Sequence, residues 1–177
     1  MRKSSRIIFA SIITASCWLL YTFSTDVYMY TDNVDVALVI NGYFGNPLCQ
    51  YQHPLFCILV NLLSRMFPSV DMYTAVVHVF VAGELFLLLY ILSSNIESNS
   101  FRAFNIIDYA ILLISIMIAF FLSAGLNLWR ANYTIQASSF LFTGLLALYQ
   151  GEKKDYIIKS IIATLYISMG YMLRKEV

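Results

Sequence analysis

The segment MYTAVVHVFVAGELFLLLYIL spans residues 72–92, and only His78 and Glu84 within it carry a basic or acidic side chain. An apolar stretch of this length is typical of a helix that crosses a membrane. The composition of the whole chain agrees, because 60% of its 177 residues are hydrophobic and 12% are charged. Soluble domains are about half apolar and about a quarter charged. We therefore expect the lipid bilayer to be a partner of this protein.

Similar stretches lie on both sides of this segment. Residues 7–23 follow a basic start at Arg2, Lys3 and Arg6. A signal peptide has the same pattern, but no small-residue cleavage motif follows, so a retained first span is favoured. The other predicted spans are residues 106–126, 133–149 and 156–173. The sequence therefore predicts an all-α integral membrane helical bundle with about five transmembrane helices, organised as a single membrane domain over residues 1–177.

Basic residues near the ends of membrane spans favour the cytoplasmic side. With a cytoplasmic N-terminus, that side collects Arg2, Lys3, Arg6, Arg102, Lys153, Lys154 and Lys159, and the opposite side collects Arg65, Arg130, Arg174 and Lys175. The larger group favours a multi-pass protein of the cell membrane with a cytoplasmic N-terminus and an extracytoplasmic loop over residues 24–71. A net charge of +1 gives no argument for nucleic acid as a partner.

The loop over residues 24–71 contains signals for two short interfacial helices. In the first helix, Asp32 fits the N-cap of residues 33–42, and Asp35 falls at the third helical position. Gly42 then ends this helix, because glycine readily adopts the left-handed conformation of a helix C-terminus. The acidic residues of the loop are therefore expected near the start of its first helix.

The second loop helix begins at Pro54, a favoured residue in a first helical turn, and runs to Phe67. Asn61 and Arg65 are among the few polar residues that interrupt its apolar surface, and they lie one helical turn apart on one face. We expect this helix to lie in the membrane interface with the face of Asn61 and Arg65 toward water.

The order of these elements resembles the N-terminal part of GT-C-type bacterial multi-span membrane glycosyltransferases. The residues that carry the resemblance are Asp32-Asn33, Gly42-Tyr43-Phe44-Gly45, His53-Pro54, and Pro68 with Asp71-Met72-Tyr73. Enzymes of this type carry an aspartate or an acidic pair at the start of the first outer loop. They transfer a sugar from a polyprenyl-phosphate donor on the extracytoplasmic face, so the resemblance implies a polyprenyl-phosphate-linked sugar as a partner.

Two features depart from the family pattern. Asn33 occupies the second position of the acidic pair, and the family has more membrane spans than this sequence predicts. We expect the N-terminal part of such an enzyme, which would need a missing C-terminal half or a partner membrane subunit, or a short relative that has lost catalysis. The alternative is a non-enzymatic small multi-span membrane protein, such as an assembly partner, a flippase-like carrier or an immunity-type protein.

The resemblance implies that Asp32 is the catalytic acidic residue, with Asp35 and His53 as its neighbours. The Asp32 carboxylate would act as a general base on an acceptor hydroxyl or help to hold a divalent cation, and a helix N-terminus favours its ionised form. An ordinary N-cap also explains Asp32, and an ordinary loop residue also explains His53. The cysteine spacing predicts no metal site.

Arg130, Arg174 and Lys175 fall on the side of the membrane where the charge rule expects few basic residues. Under the resemblance they would bind the donor phosphate, because arginine and lysine donate charge-assisted hydrogen bonds to phosphate oxygens. The alternative is ordinary snorkelling of basic side chains at the ends of spans.

The second predicted span contains two ionisable residues, His78 and Glu84. Such groups are costly at membrane depth, but their spacing places these two on different faces of one helix. We expect Glu84 either to bond Ser, Thr or Tyr on a neighbouring helix or to carry a proton, and we favour a packing role.

Overall fold

The computed structural model describes residues 3–23, 31–49, 52–93, 133–149 and 156–174, together with residues 110, 113, 114 and 116–118. These residues form α-helices and no strand, which confirms the predicted all-α class. In chain order the helices are α1 (Lys3–Phe23), α2 (Thr31–Asn41), α3 (Pro54–Met66), α4 (Met72–Leu92), α5 (Tyr133–Tyr149) and α6 (Tyr156–Leu173).

Two helices of the described part, α4 and α6, are long and apolar enough to cross a membrane. The apolar segments Ser4–Leu19, Pro54–Met66 and Gln136–Tyr149 are shorter. Most of the predicted span over residues 106–126 lies outside the described residues, although those described within it are helical. The prediction of about five spans is therefore supported by length and composition for two helices, and it stays a prediction for the others.

Helix α1 runs antiparallel to α4. Near the start of α1, the Arg6 guanidinium lies 5.0 Å from the ring centroid of Tyr90 near the end of α4, a cation–π contact. Ala10 of α1 is buried against Leu85 and Leu89 of α4. The first half of α1 therefore packs along the second half of α4.

Helices α5 and α6 form a close antiparallel pair because glycines remove side chains from their contact. A Cβ atom on Gly144 would lie 3.0 Å from the carbonyl oxygen of Ala163. A Cβ atom on Gly170 would lie 2.7 Å from the carbonyl oxygen of Ala137. Small residues at such contacts allow helix backbones to approach closely in membranes.

The loop helices α2 and α3 pack at the end of the bundle where α4 begins and α6 ends. Their buried side chains join one apolar cluster with Tyr73 and Val77 of α4 and with Met169 and Leu173 of α6. We call α2 and α3 together the loop-helix cap. The predicted succession of one helix, two short loop helices and a further helix is confirmed in the described residues.

Helix α2 begins at Thr31, so Asp32 lies inside its first turn and the prediction of Asp32 as N-cap is wrong by two positions. Helix ends vary by a residue or two because several residues can supply the terminal hydrogen bonds. The predicted end is confirmed: Gly42 has φ 90°. The N–H groups of Gly42 and Tyr43 donate to the carbonyls of Val39 and Leu38 at 3.0 and 3.1 Å, as in a Schellman motif.

The predicted orientation of α3 is wrong for Asn61. This residue is buried, and its Nδ2 donates to the Ile40 carbonyl at 3.2 Å. The last carbonyls of a helix lack partners within that helix, so the end of α2 attracts the polar side of α3. Arg65 is exposed. The apolar side of α3 is also exposed, at Leu55, Ile58, Leu59, Leu62 and Met66.

Candidate functional site

One polar network ties the loop-helix cap to α4. Asn41, the last residue of α2, donates from Nδ2 to Asp71 Oδ1 at 2.6 Å. Its Oδ1 accepts from Ser64 Oγ of α3 at 2.7 Å and from the Tyr73 N–H at 3.3 Å. Asp71 is the N-cap of α4 and accepts from the N–H of Thr74 at 3.2 Å. A single amide side chain therefore joins three helices.

His53 connects the start of α3 to the end of α6. It is the N-cap of α3, and its Nδ1 accepts from the Leu55 N–H at 3.3 Å. In a neutral ring whose Nδ1 accepts, Nε2 carries the hydrogen. The His53 backbone N–H donates to the Met172 carbonyl at 2.9 Å, and its ring centroid lies 5.6 Å from that of Tyr171. His53 is thus positioned by α6 as well as by its own helix.

Arg174 lies directly after α6, two residues beyond Met172. Its N–H donates to the Gly170 carbonyl at 3.3 Å, which keeps the chain in helical register past Leu173. The fold therefore brings His53 and Arg174 to the same end of the bundle, although they are far apart in sequence. Of the other predicted phosphate-binding residues, Arg130 and Lys175 lie outside the described residues.

The predicted acids are only partly described. Asp35 is exposed on α2, and Asp32 lies in the first turn of that helix, although its side chain is outside what the structure describes. Asp35 and His53 share no hydrogen bond or ion pair in the described part of the chain, so the structure does not join these two predicted neighbours. No group of three or more His, Cys, Asp or Glu residues in the described ranges is arranged to hold a metal ion. A divalent cation at Asp32 therefore stays a prediction.

Sequence reasoning missed Gln52, which is completely buried beside His53. Its Nε2 lies 3.5 Å from the Tyr73 hydroxyl, and its Oε1 has no hydrogen-bond partner among the described residues. The bond is at the long limit for a hydrogen bond. A glutamine in a loop gave no signal of burial, because its enclosure depends on α4 and the loop-helix cap together.

A second polar site lies inside the bundle, and we call it the Glu84 cluster: Glu84 of α4 with Ser139 and Thr143 of α5. The hydroxyls of Ser139 and Thr143 both donate to Glu84 Oε1, the latter at 2.9 Å. Glu84 is 0% exposed. The predicted bond from Glu84 to a Ser or Thr on a neighbouring helix is therefore confirmed.

The Glu84 cluster borders an aromatic contact between α4, α5 and α6. Tyr166 donates from its hydroxyl to the Phe80 carbonyl at 3.1 Å, and its ring packs against those of Phe80 and Phe140 with centroids 5.9 and 5.7 Å away. Gly83 makes room for this hydroxyl, because a Cβ atom there would lie 2.5 Å from it.

His78 lies on a different side of α4 from the Glu84 cluster. It lines a shallow groove with Thr14, Cys17 and Trp18 of α1. The prediction that His78 and Glu84 occupy different faces is therefore confirmed. Their separation leaves each with a different helix as its neighbour.

No family model, no curated protein and no solved structure matches this chain. The described residues form two polar arrangements: the end of the bundle where His53 and Arg174 both lie, and the enclosed carboxyl of Glu84.

Proposed function

We propose that this chain is a GT-C-like membrane glycosyltransferase, or the N-terminal part of one, that transfers a sugar from a polyprenyl-phosphate donor on the extracytoplasmic face. The observation that carries the proposal is the hydrogen bond from the His53 N–H to the Met172 carbonyl at 2.9 Å. It brings a histidine of the first loop beside the end of α6, where Arg174 follows.

This end of the bundle has the donor groups that a phosphate requires. A guanidinium binds phosphate oxygens through paired, charge-assisted hydrogen bonds, and the Nε2–H of His53, whose Nδ1 accepts from the Leu55 N–H, adds a further donor. The exposed carboxylate of Asp35 and the first-turn position of Asp32 lie on α2, in the same loop-helix cap. Acids near the acceptor hydroxyl supply the general base that glycosyl transfer needs.

The distribution of basic residues supports the proposed orientation. Arg6, beside Tyr90, lies at the opposite end of the bundle from the loop-helix cap, and Lys159 lies in the first turn of α6, away from Arg174. The rule that basic residues favour the cytoplasm then assigns the end with Arg6 and Lys159 to the cytoplasm. The loop-helix cap would face the extracytoplasmic side, where the donor is used.

The test is a transfer assay with the complete gene product in lipid vesicles, using a radiolabelled polyprenyl-phosphate sugar. We expect Asp32→Asn to lower kcat by at least tenfold, which corresponds to about 1.4 kcal/mol of transition-state stabilisation. Arg174→Ala should chiefly raise the KM for the donor. Arg65→Ala is the matched control, because Arg65 is exposed on α3 and is not expected to touch the donor. Full activity of Asp32→Asn contradicts the proposal.

The second candidate function is that of a non-enzymatic assembly partner in the membrane, and the exposed apolar side of α3 favours it. This surface consists of Leu55, Ile58, Leu59, Leu62 and Met66. An exposed apolar patch marks a contact with lipid or with another protein. An absence of transfer activity, combined with co-purification of one membrane protein that is lost in Leu59→Asp, would favour this alternative.

A further inference from the structure

The Glu84 carboxyl is enclosed by the bundle, yet only one of its oxygens is used. Both hydroxyl donors, Ser139 and Thr143, bond to Oε1. Oε2 is buried and has no hydrogen-bond partner among the described residues. An ionised carboxylate shares its charge between both oxygens and needs donors on each. A neutral carboxylic acid has one carbonyl oxygen that accepts and one hydroxyl oxygen that carries the proton.

The surroundings of Glu84 hold no compensating charge in the part of the chain that the structure describes. The hydroxyl of Tyr166, the titratable group that α6 places nearest, donates to the carbonyl of Phe80. Lys159 lies about two helical turns earlier on α6, and His78 faces α1. From α5, the hydroxyl groups of Ser139 and Thr143 reach the carboxyl, and they carry no charge. Burying an unpaired charge is costly in an apolar interior, so these neighbours favour the neutral acid.

We propose that the Glu84 cluster is a proton-binding site inside the membrane helices, with the proton carried on Glu84 Oε2 near neutral pH. The hydroxyls of Ser139 and Thr143 hold the carbonyl oxygen and position the acid. Release of the proton to water leaves the negative charge on the carboxylate, and rebinding restores the neutral acid. α4 is one of two described helices that are long and apolar enough to cross a membrane. The site therefore places an exchangeable proton between membrane helices, and it is independent of sugar transfer.

The proposal is tested by infrared spectroscopy of the full chain in lipid vesicles. A protonated carboxyl has a carbonyl stretching band that ionised carboxylates lack. We expect this band near neutral pH, its reversible loss as the pH is raised, and its absence in Glu84→Gln, which keeps the shape of the side chain. Asp35→Asn is the matched control, because Asp35 is exposed on α2 and lies outside the Glu84 cluster; it should keep the band. A wild-type protein without the band, or a Glu84→Gln variant that retains all of it, overturns the proposal.

A second measurement keeps the test informative if Glu84→Gln fails to fold. Ser139→Ala and Thr143→Ala each remove one donor from Oε1, so the carbonyl band should move to higher frequency in each variant. An unchanged frequency in both would contradict the geometry. Replacing choline chloride by sodium chloride at fixed pH should leave the band in place. Loss of the band in sodium would show that the site binds sodium in competition with the proton, and the proposal would fail.

Discussion

Replacing Asn41 by alanine should weaken the attachment of the loop-helix cap to α4. The Asn41 side chain makes three hydrogen bonds, to Asp71, Ser64 and the N–H of Tyr73. These partners belong to α3 and to the start of α4, so one truncation removes polar contacts from α2 to both elements. The bond from Asn61 to the Ile40 carbonyl remains. The apolar cluster beneath them remains in contact.

The expected loss of stability depends on which hydrogen bonds each partner of Asn41 keeps. The Ser64 hydroxyl keeps the Val60 carbonyl at 3.0 Å, and Asp71 keeps the Thr74 N–H at 3.2 Å. Each of these two losses costs about 0.5 kcal/mol, because the partner keeps a second hydrogen bond. The Tyr73 N–H loses an acceptor at a buried residue, and the loss of an acceptor for a buried donor costs about 1–3 kcal/mol. We therefore expect the free energy needed to open the loop-helix cap to fall by about 2–4 kcal/mol in Asn41→Ala.

The labelling rate of the buried Cys57 thiol measures how often the loop-helix cap opens. Cys57 is 0% exposed within the cluster that joins α2 and α3, and burial raises the pKa of its thiol. The thiolate is the form that reacts with a maleimide, so labelling requires opening. When opening is fast relative to labelling, each 1.4 kcal/mol changes the rate tenfold. Asn41→Ala should therefore label Cys57 about 30- to 1000-fold faster, measured by mass spectrometry of the peptide that contains it.

Asn46→Ala is the matched control for this experiment. Asn46 is exposed, and within the described part of the chain its Oδ1 accepts only from the nearby Leu48 N–H at 3.0 Å. Its removal should leave the labelling of Cys57 within about twofold of the unchanged protein, since exposed local bonds contribute little. Equal labelling rates in Asn41→Ala and Asn46→Ala would refute the assignment of Asn41 as the link between the three helices.

Two further predictions follow from the packing. Gly170→Leu should lower the Tm in detergent strongly, because even its Cβ atom would lie 2.7 Å from the Ala137 carbonyl oxygen. Leu165→Ala, at an exposed position of the same helix, should change the Tm little. Equal Tm values for the two variants would disprove the close contact. Leu62→Trp, on the exposed apolar side of α3, should give blue-shifted emission quenched by brominated lipids in nanodiscs. Emission typical of water, without such quenching, would show that this side of α3 does not face lipid.

Sequence patterns located most helices well, because the signals for a helix are local. The predicted spans over residues 72–92, 133–149 and 156–173 coincide with α4, α5 and α6. Pro54 and Gly42 mark a helix start and a helix end as expected, since proline lacks an N–H and glycine adopts positive φ without strain. Helix α1 starts earlier than the predicted span because its first residues, Lys3–Arg6, are polar but still helical.

The site was less predictable, because its contacts join distant parts of the chain. The sequence singled out His53 and Arg174 separately, but the hydrogen bond to Met172 that brings them together requires α6 to end against the start of α3. The sequence also marked Glu84 as unusual and expected a hydroxyl partner. It did not identify Ser139 and Thr143, since many hydroxyls on neighbouring helices were equally available.

By itself, the sequence determined that the chain is helical and where most helices begin and end, because apolar composition and end signals act within a few residues. Only the tertiary structure decided which way α3 faces. The Asn61 amide can donate a hydrogen bond to water or to a protein carbonyl. In the structure it donates to the Ile40 carbonyl at the end of α2. The orientation of α3 therefore depends on a carbonyl that lacks a partner within its own helix. This orientation leaves the apolar side of α3 exposed.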